Sequence, residues 1–193
     1  MTTITVARKG DEVAIAADSL TTFGDTRLAA GYKSEHDKIL CVRDSYIGLC
    51  GSSAHHLVVA SALAQLQDVK FGSRMEVFET FRRLHPVLKE HAYLNPKEDE
   101  DDPYESSQIT ALIANPSGIY GVYSYREVFA YDRFWAIGSG RSFALGAMYA
   151  IYDSERTAAQ IAADGIAAGI EFDTASGPPI LTHTLKLAKE NQK

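Results

Sequence analysis

The chain has 193 residues, 46% of them hydrophobic and 23% charged, with a formal net charge of -6. Such a chain buries roughly 70% of its unfolded surface without help from a disulfide or a metal, and its length favours one domain over residues 1–193. The acidic balance argues against a nucleic-acid surface, no apolar run reaches the roughly 20 residues of a bilayer span, and no signal-peptide pattern follows Met1, so a cytoplasmic protein with reduced thiols is expected.

Residues 3–7 and 12–17 are strand-like and flank Lys9-Gly10-Asp11, a three-residue hairpin turn. With Arg8 opposite Glu12, Thr2 faces Asp18. Thr2, Ile4, Val6, Ala14, Ala16 and Asp18 then share one side, because side chains alternate with period two. An initiator Met before a small residue is commonly trimmed. Trimming here would leave Thr2 with a free α-amine, pKa roughly 7.7 to 8.0, able to take the proton of the hydroxyl on the same residue, so that no histidine is needed.

Thr21-Thr22-Phe23-Gly24-Asp25 reads as a turn, residues 26–30 as a short extended piece and residues 31–37 as an exposed loop. Residues 38–42 and 46–50 form a second strand pair around Arg43-Asp44-Ser45, with Cys41 and Cys50 as buried free thiols. Four strands before any helix exclude a doubly wound fold and point to a layered α+β domain. A serine of Gly51-Ser52-Ser53 caps a helix that starts near Ala54. Ser73 and Glu76 form a capping box for a second helix, in which Met75, Phe78, Phe81, Leu84 and Leu88 recur every three or four residues and Pro86 either interrupts the helix or begins its continuation.

His55, His56, His85 and His91 have no partner at metal-ligand spacing and read as surface or core histidines. The acidic, proline-bounded run at residues 95–103 reads as a solvated loop. Strands resume at residues 108–114, 118–125 and 127–131, and residues 134–137 lead into Gly138-Ser139-Gly140. Helices at residues 143–151 and 157–168, the second capped by Ser154, a polar turn at 172–179 and a strand at 180–187 complete the order. Two sheets with a pair of helices outside each would bury every apolar face.

Six pieces of this chain carry a resemblance to proteasome β-type subunits, especially the bacterial HslV-like peptidases and their short proteobacterial relatives. They are Thr2-Thr3-Ile4, Ala14-Ile15-Ala16-Ala17-Asp18-Ser19, Asp37-Lys38-Ile39, Gly48-Leu49-Cys50-Gly51-Ser52, Ala136-Ile137-Gly138-Ser139-Gly140 and Asp173-Thr174-Ala175-Ser176-Gly177, in the family's order. The resemblance implies a four-layer αββα sandwich of the N-terminal nucleophile hydrolase type, and a threonine peptidase with no cofactor and no metal. It makes Thr2 the nucleophile, places the Lys38 ammonium near its hydroxyl to lower the hydroxyl pKa, and gives Asp18 the task of fixing that lysine. Gly51 would offer a backbone N–H to the oxyanion, Thr22 and Gly51 would bind substrate, and Ser139, Asp173 and Ser176 would surround the α-amine and relay its proton.

Lys33 lies in a stretch between Asp18 and Lys38 that is longer than the family's hairpin, and it stays a rival for the lysine role. The resemblance further implies peptides or unfolded proteins as substrates and further copies of the chain in stacked homo-oligomeric rings. It leaves room for an ATP-dependent unfoldase, although no residue identifies one, and nothing points to nucleic acid or membrane. Two other readings stay open: an amidase acting on small amides, and a ring-forming subunit without activity, of which a retained Met1 would be the mark.

Overall fold

The computed structural model describes residues 2–96 and 102–188. Met1, with the expectation of its removal, and residues 97–101 of the acidic run lie outside the described residues. The first hairpin joins β1 (Thr3–Lys9) to β2 (Glu12–Ala17). Lys9 pairs with Glu12, Arg8 with Val13 and Ile4 with Ala17, one residue out of step with the expected register. Lys9 is the cause: it is the last rung of the ladder, so the turn is the two-residue Gly10-Asp11, with Gly10 at φ +60°. Each pair therefore shifts by one, and with it the face each side chain occupies. Ile4, Val6, Val13, Ile15 and Ala17 pack toward a second sheet, while Ala7, Ala14 and Ala16 pack under helices.

In chain order there follow β3 (Thr21–Phe23), β4 (Thr26–Leu28), β5 (Ile39–Val42), β6 (Ser45–Cys50), α1 (His55–Gln65), α2 (Arg74–His91), β7 (Thr110–Asn115), β8 (Gly118–Val122), β9 (Val128–Tyr131), β10 (Phe134–Gly138), α3 (Arg141–Ile151), α4 (Ala158–Phe172) and β11 (Leu181–Lys186). One sheet has the order β10-β1-β2-β11 and the other β5-β6-β7-β8-β9, with β3 and β4 as a separate small hairpin. Helices α3 and α4 cover the first sheet through Met148, Ile161 and Ile166, and α1 and α2 cover the second through Val59, Leu63, Phe81 and Leu84. The result is the αββα sandwich. At one seam β9 and β10 bring Tyr131 and Trp135 into a stack 5.2 Å apart, and the Trp135 indole N–H donates to the Tyr123 hydroxyl at 2.7 Å.

Several local expectations are corrected. The turn and extended piece after Leu20 are in fact the β3–β4 hairpin, followed by a short 3-10 turn at Ala30–Tyr32, so six strands precede the first α-helix. Helix α1 has Ala54 at its cap with no side-chain bond; Ser52 Oγ instead accepts from the Ala54 N–H. Ser73 does cap α2 by accepting from the Glu76 N–H, but the Glu76 carboxylate reaches back to the Gly72 N–H. Pro86 lies inside α2 without ending it, since Leu84 and Leu88 on either side are held in the core. Helix α4 is capped by Thr157, whose capping box with Gln160 supersedes Ser154, and it runs on to Phe172. Cys41 is exposed and Cys50 half-buried, because the outward face of β5 is left uncovered at Cys41.

Candidate active site

Thr2 immediately precedes β1, and the turn after β10 presses directly on its backbone. The Ser139 N–H donates to the Thr2 carbonyl at 2.8 Å. Gly138 has φ +92°, and a Cβ there would come within 1.9 Å of that carbonyl oxygen. A Cβ on Gly140 would come within 2.2 Å of Thr3 Oγ1. Only glycine permits this approach, which is why the turn reads Gly-Ser-Gly.

Asp18 follows β2 at the point where the chain leaves the sheet, and it is fully buried. Its carboxylate accepts from the N–H groups of Thr3, Leu20 and Gly177, each at 3.0 Å, which fixes both oxygens. The Thr2 hydroxyl donates to the same carboxylate. Lys38 enters from just before β5, and its ammonium donates to Thr2 Oγ1 at 2.7 Å, to Asp18 at 2.8 Å and to the Leu20 carbonyl. Burial pulls the Lys38 ammonium below the usual lysine range, and the Asp18 carboxylate opposes that pull. The lysine is anchored from behind. Asp37 accepts from the Ile39 N–H at 2.9 Å and pairs with His183 Nε2 at 3.0 Å, so the start of β5 is tied to β11.

On the other side of Thr2, Ser139 and Ser176 donate to Asp173 at 2.6 and 2.7 Å. Burial alone would raise the Asp173 carboxyl, but these two hydroxyls, together with the Ala175 N–H, hold the group below the ordinary carboxylate value. Ser139 Oγ also lies 3.3 Å from the Thr2 carbonyl oxygen, and Ser176 Oγ lies 2.7 Å from Thr3 Oγ1. Thr2, Asp18, Lys38, Ser139, Asp173 and Ser176 are thus gathered from five separated stretches of the chain. Thr2 and Asp18 do not meet as a cross-strand pair; they meet because Asp18 turns back over the start of β1.

A cavity of about 400 Å³ opens beside this cluster, with Thr2, Thr21, Thr22, Lys33, Lys38 and Gly51 among its walls. Gly51, at φ +120°, and Thr22, in β3, both line this space. Lys33 does not bond the Thr2 hydroxyl; it donates to the Ser19 carbonyl at 2.9 Å and to Thr21 Oγ1 at 3.1 Å. Of the segment read as an exposed loop, Gly31, Tyr32, Ser34 and Glu35 are exposed as expected, while Lys33, His36 and Asp37 are half-buried and, with Glu35, line the cavity. Sequence reasoning missed Thr3, the Gly177 N–H and the Asp37–His183 pair, since their partners lie far away along the chain and no spacing rule connects them.

Among the described residues no group of three His, Cys, Asp or Glu side chains could hold a metal ion, and no helix is long and apolar enough to cross a membrane. No protein-family model and no curated protein matches the chain. Among solved structures, Thiobacillus denitrificans BPH in complex with epoxomicin is 40% identical with a TM-score of 0.91, covering 97% of this chain and 100% of its own. A further structure of Thiobacillus denitrificans BPH is also 40% identical, with a TM-score of 0.93 over 98% of this chain and 100% of its own. Eukaryotic HslV from Trypanosoma brucei, at 23% identity and a TM-score of 0.68 over 96% of this chain and 99% of its own, shares the fold.

Proposed function

The chain belongs to the proteasome β-type, HslV-like family, and from that premise we propose that it is a threonine peptidase whose nucleophile is Thr2 once Met1 has been removed. One observation carries the reading: the Lys38 ammonium lies 2.7 Å from the Thr2 hydroxyl and 2.8 Å from a buried carboxylate, at the wall of an open cavity. An ammonium so placed stabilises the alkoxide that forms during attack, and Asp18 holds it in place.

In the resting arrangement the Thr2 hydroxyl keeps its proton and donates a hydrogen bond to Asp18. In the reaction it passes to the α-amine as Thr2 Oγ1 bonds to the substrate's carbonyl carbon. The oxyanion takes the Gly51 N–H, and the protonated amine then gives its proton to the leaving nitrogen as the peptide bond breaks. Water, deprotonated by the same amine, releases the acyl group from Thr2 and restores the hydroxyl. Ser139, Asp173 and Ser176 hold the amine's surroundings and relay protons around it. The substrate is a peptide or unfolded protein strand lying along Thr22 and Gly51. The peptidase works in the cytoplasm inside stacked homo-oligomeric rings, with an ATP-dependent unfoldase as a partner compatible with them.

Intact mass of the purified protein with and without epoxomicin, the molecule bound by Thiobacillus denitrificans BPH, tests this reading. A protein lacking Met1 and gaining one adduct, with both the adduct and peptide cleavage absent from Thr2→Ala, is the expected result. Retained Met1 with no adduct and no cleavage would instead mark an inactive ring subunit. Turnover of small amides but not of peptides would mark an amidase.

A further inference from the structure

We propose that Lys33 is a positioning residue of this reaction, fastening the Ser19 to Thr21 wall of the cavity and placing a second ammonium beside the Asp18 and Lys38 pair. The inference rests on the threonine-peptidase reading and goes beyond it, since it concerns a lysine that does not touch the nucleophile. Two of the three Lys33 N–H donors are committed, to the Ser19 carbonyl and Thr21 Oγ1. Both acceptors lie on the stretch that leads from Asp18 into β3, the strand that carries Thr22. Loosening Lys33 would free that stretch at the edge where a substrate strand must dock.

Its charge acts at the same place. Burial lowers the proton affinity of Lys33, and the Asp18 carboxylate raises it, so both ammonium groups answer to one buried anion. Lys33 in turn depresses Lys38 through repulsion of like charges. The other titratable groups acting here are Glu35, His36 and Asp37 from the same loop and His56 from α1, which face the cavity, and Asp173 across Thr2, which raises the proton affinity of Lys38. Lys38 aids the reaction only while it holds its proton. The second charge therefore adds to burial in limiting the alkaline edge of activity, and removing it should move the Lys38 titration upward by about 0.5 to 1 pH unit, the effect of one unit charge across a partly solvated medium.

The Lys38 titration midpoint, read by NMR on protein with carbon-13 at the lysine ε position and assigned with Lys38→Met, provides a measurement independent of turnover. In Lys33→Met the midpoint should rise by that amount, and the alkaline limb of kcat/KM for a peptide should rise with it. Lys33→Gln, which keeps a donor without the charge, should show the same rise, and it serves if the methionine variant does not fold. Lys33→Arg should leave the midpoint and the limb where they are in the wild type. A Lys38 midpoint that does not move in the uncharged variants, in protein that still cleaves peptide, overturns the role of Lys33 alone. A wild-type protein that neither cleaves peptide nor takes an adduct overturns the peptidase reading and this inference together.

Discussion

Asp173 shows how a single residue beside the nucleophile writes itself into pH dependence. Its carboxylate is favoured by the Ser139 and Ser176 hydroxyls and held below its ordinary value of 3.8. The sign follows from proton counting: the native group binds fewer protons than the unfolded one, so its stabilisation is complete above pH 3.8 and is lost as pH falls through the lower native value. Urea unfolding of wild type and Asp173→Asn between pH 3 and pH 7 should show a gap that is constant near neutrality and closes on the acid side. A gap that stays the same to pH 3 would contradict the hydroxyl-supported carboxylate. At this scale the sequence was informative about identities and poor about contacts. Thr2, Asp18 and Lys38 could be named from motifs, yet the N–H donors of Thr3, Leu20 and Gly177 that hold Asp18 became visible only in three dimensions.

Among the elements, α4 shows what local rules can deliver when the right cap is chosen. Thr157 accepts from the Gln160 N–H while the Gln160 side chain accepts from the Thr157 N–H, a reciprocal box that satisfies two donors otherwise left open. Thr157→Ala should cost about 1 kcal/mol in denaturant titration, and Ser154→Ala less, because Ser154 lies outside the box. Equal losses would return the cap to Ser154. Helix α2 illustrates the opposite case. Its buried His85 pairs with Ser107 at 3.1 Å and Glu105 at 2.8 Å, and Arg126 donates to the same serine at 2.9 Å. These partners come from loops 20 to 41 residues further on. The sequence reads His85 as a surface or core histidine, and the structure buries it, but its clasp has no local signature. The hairpin register failed for a related reason: whether Lys9 joins the ladder or the turn is decided by which face must be buried, and that depends on a sheet formed much later in the chain.

For the whole molecule, the alternation of strands and helices was enough to infer two covered sheets, because each sheet carries one apolar face for its helices and another for its twin. The distance between the sheets was not legible. Gly48 in β6 stands against Ile4 of β1, and a Cβ at Gly48 would come 2.7 Å from Ile4 Cγ2 and 3.2 Å from Ile15 Cδ1. Ile4 is β-branched and stiff, so it cannot swing aside to make room. Gly48→Val should therefore lose about 1 to 3 kcal/mol of stability in thermal or urea unfolding, through overpacking rather than lost contacts. Because Ile4 is two residues from Thr2, the same substitution should also slow adduct formation at the nucleophile; an unchanged rate would mean that the site is insulated from the strain. Trp135 is the chain's single tryptophan, and it stands at the seam where β9 and β10 hand the chain from one sheet to the other. Nature has thereby left one indole in the joint, so its emission, excited selectively over the neighbouring tyrosines, gauges the parting of the two halves without any added label.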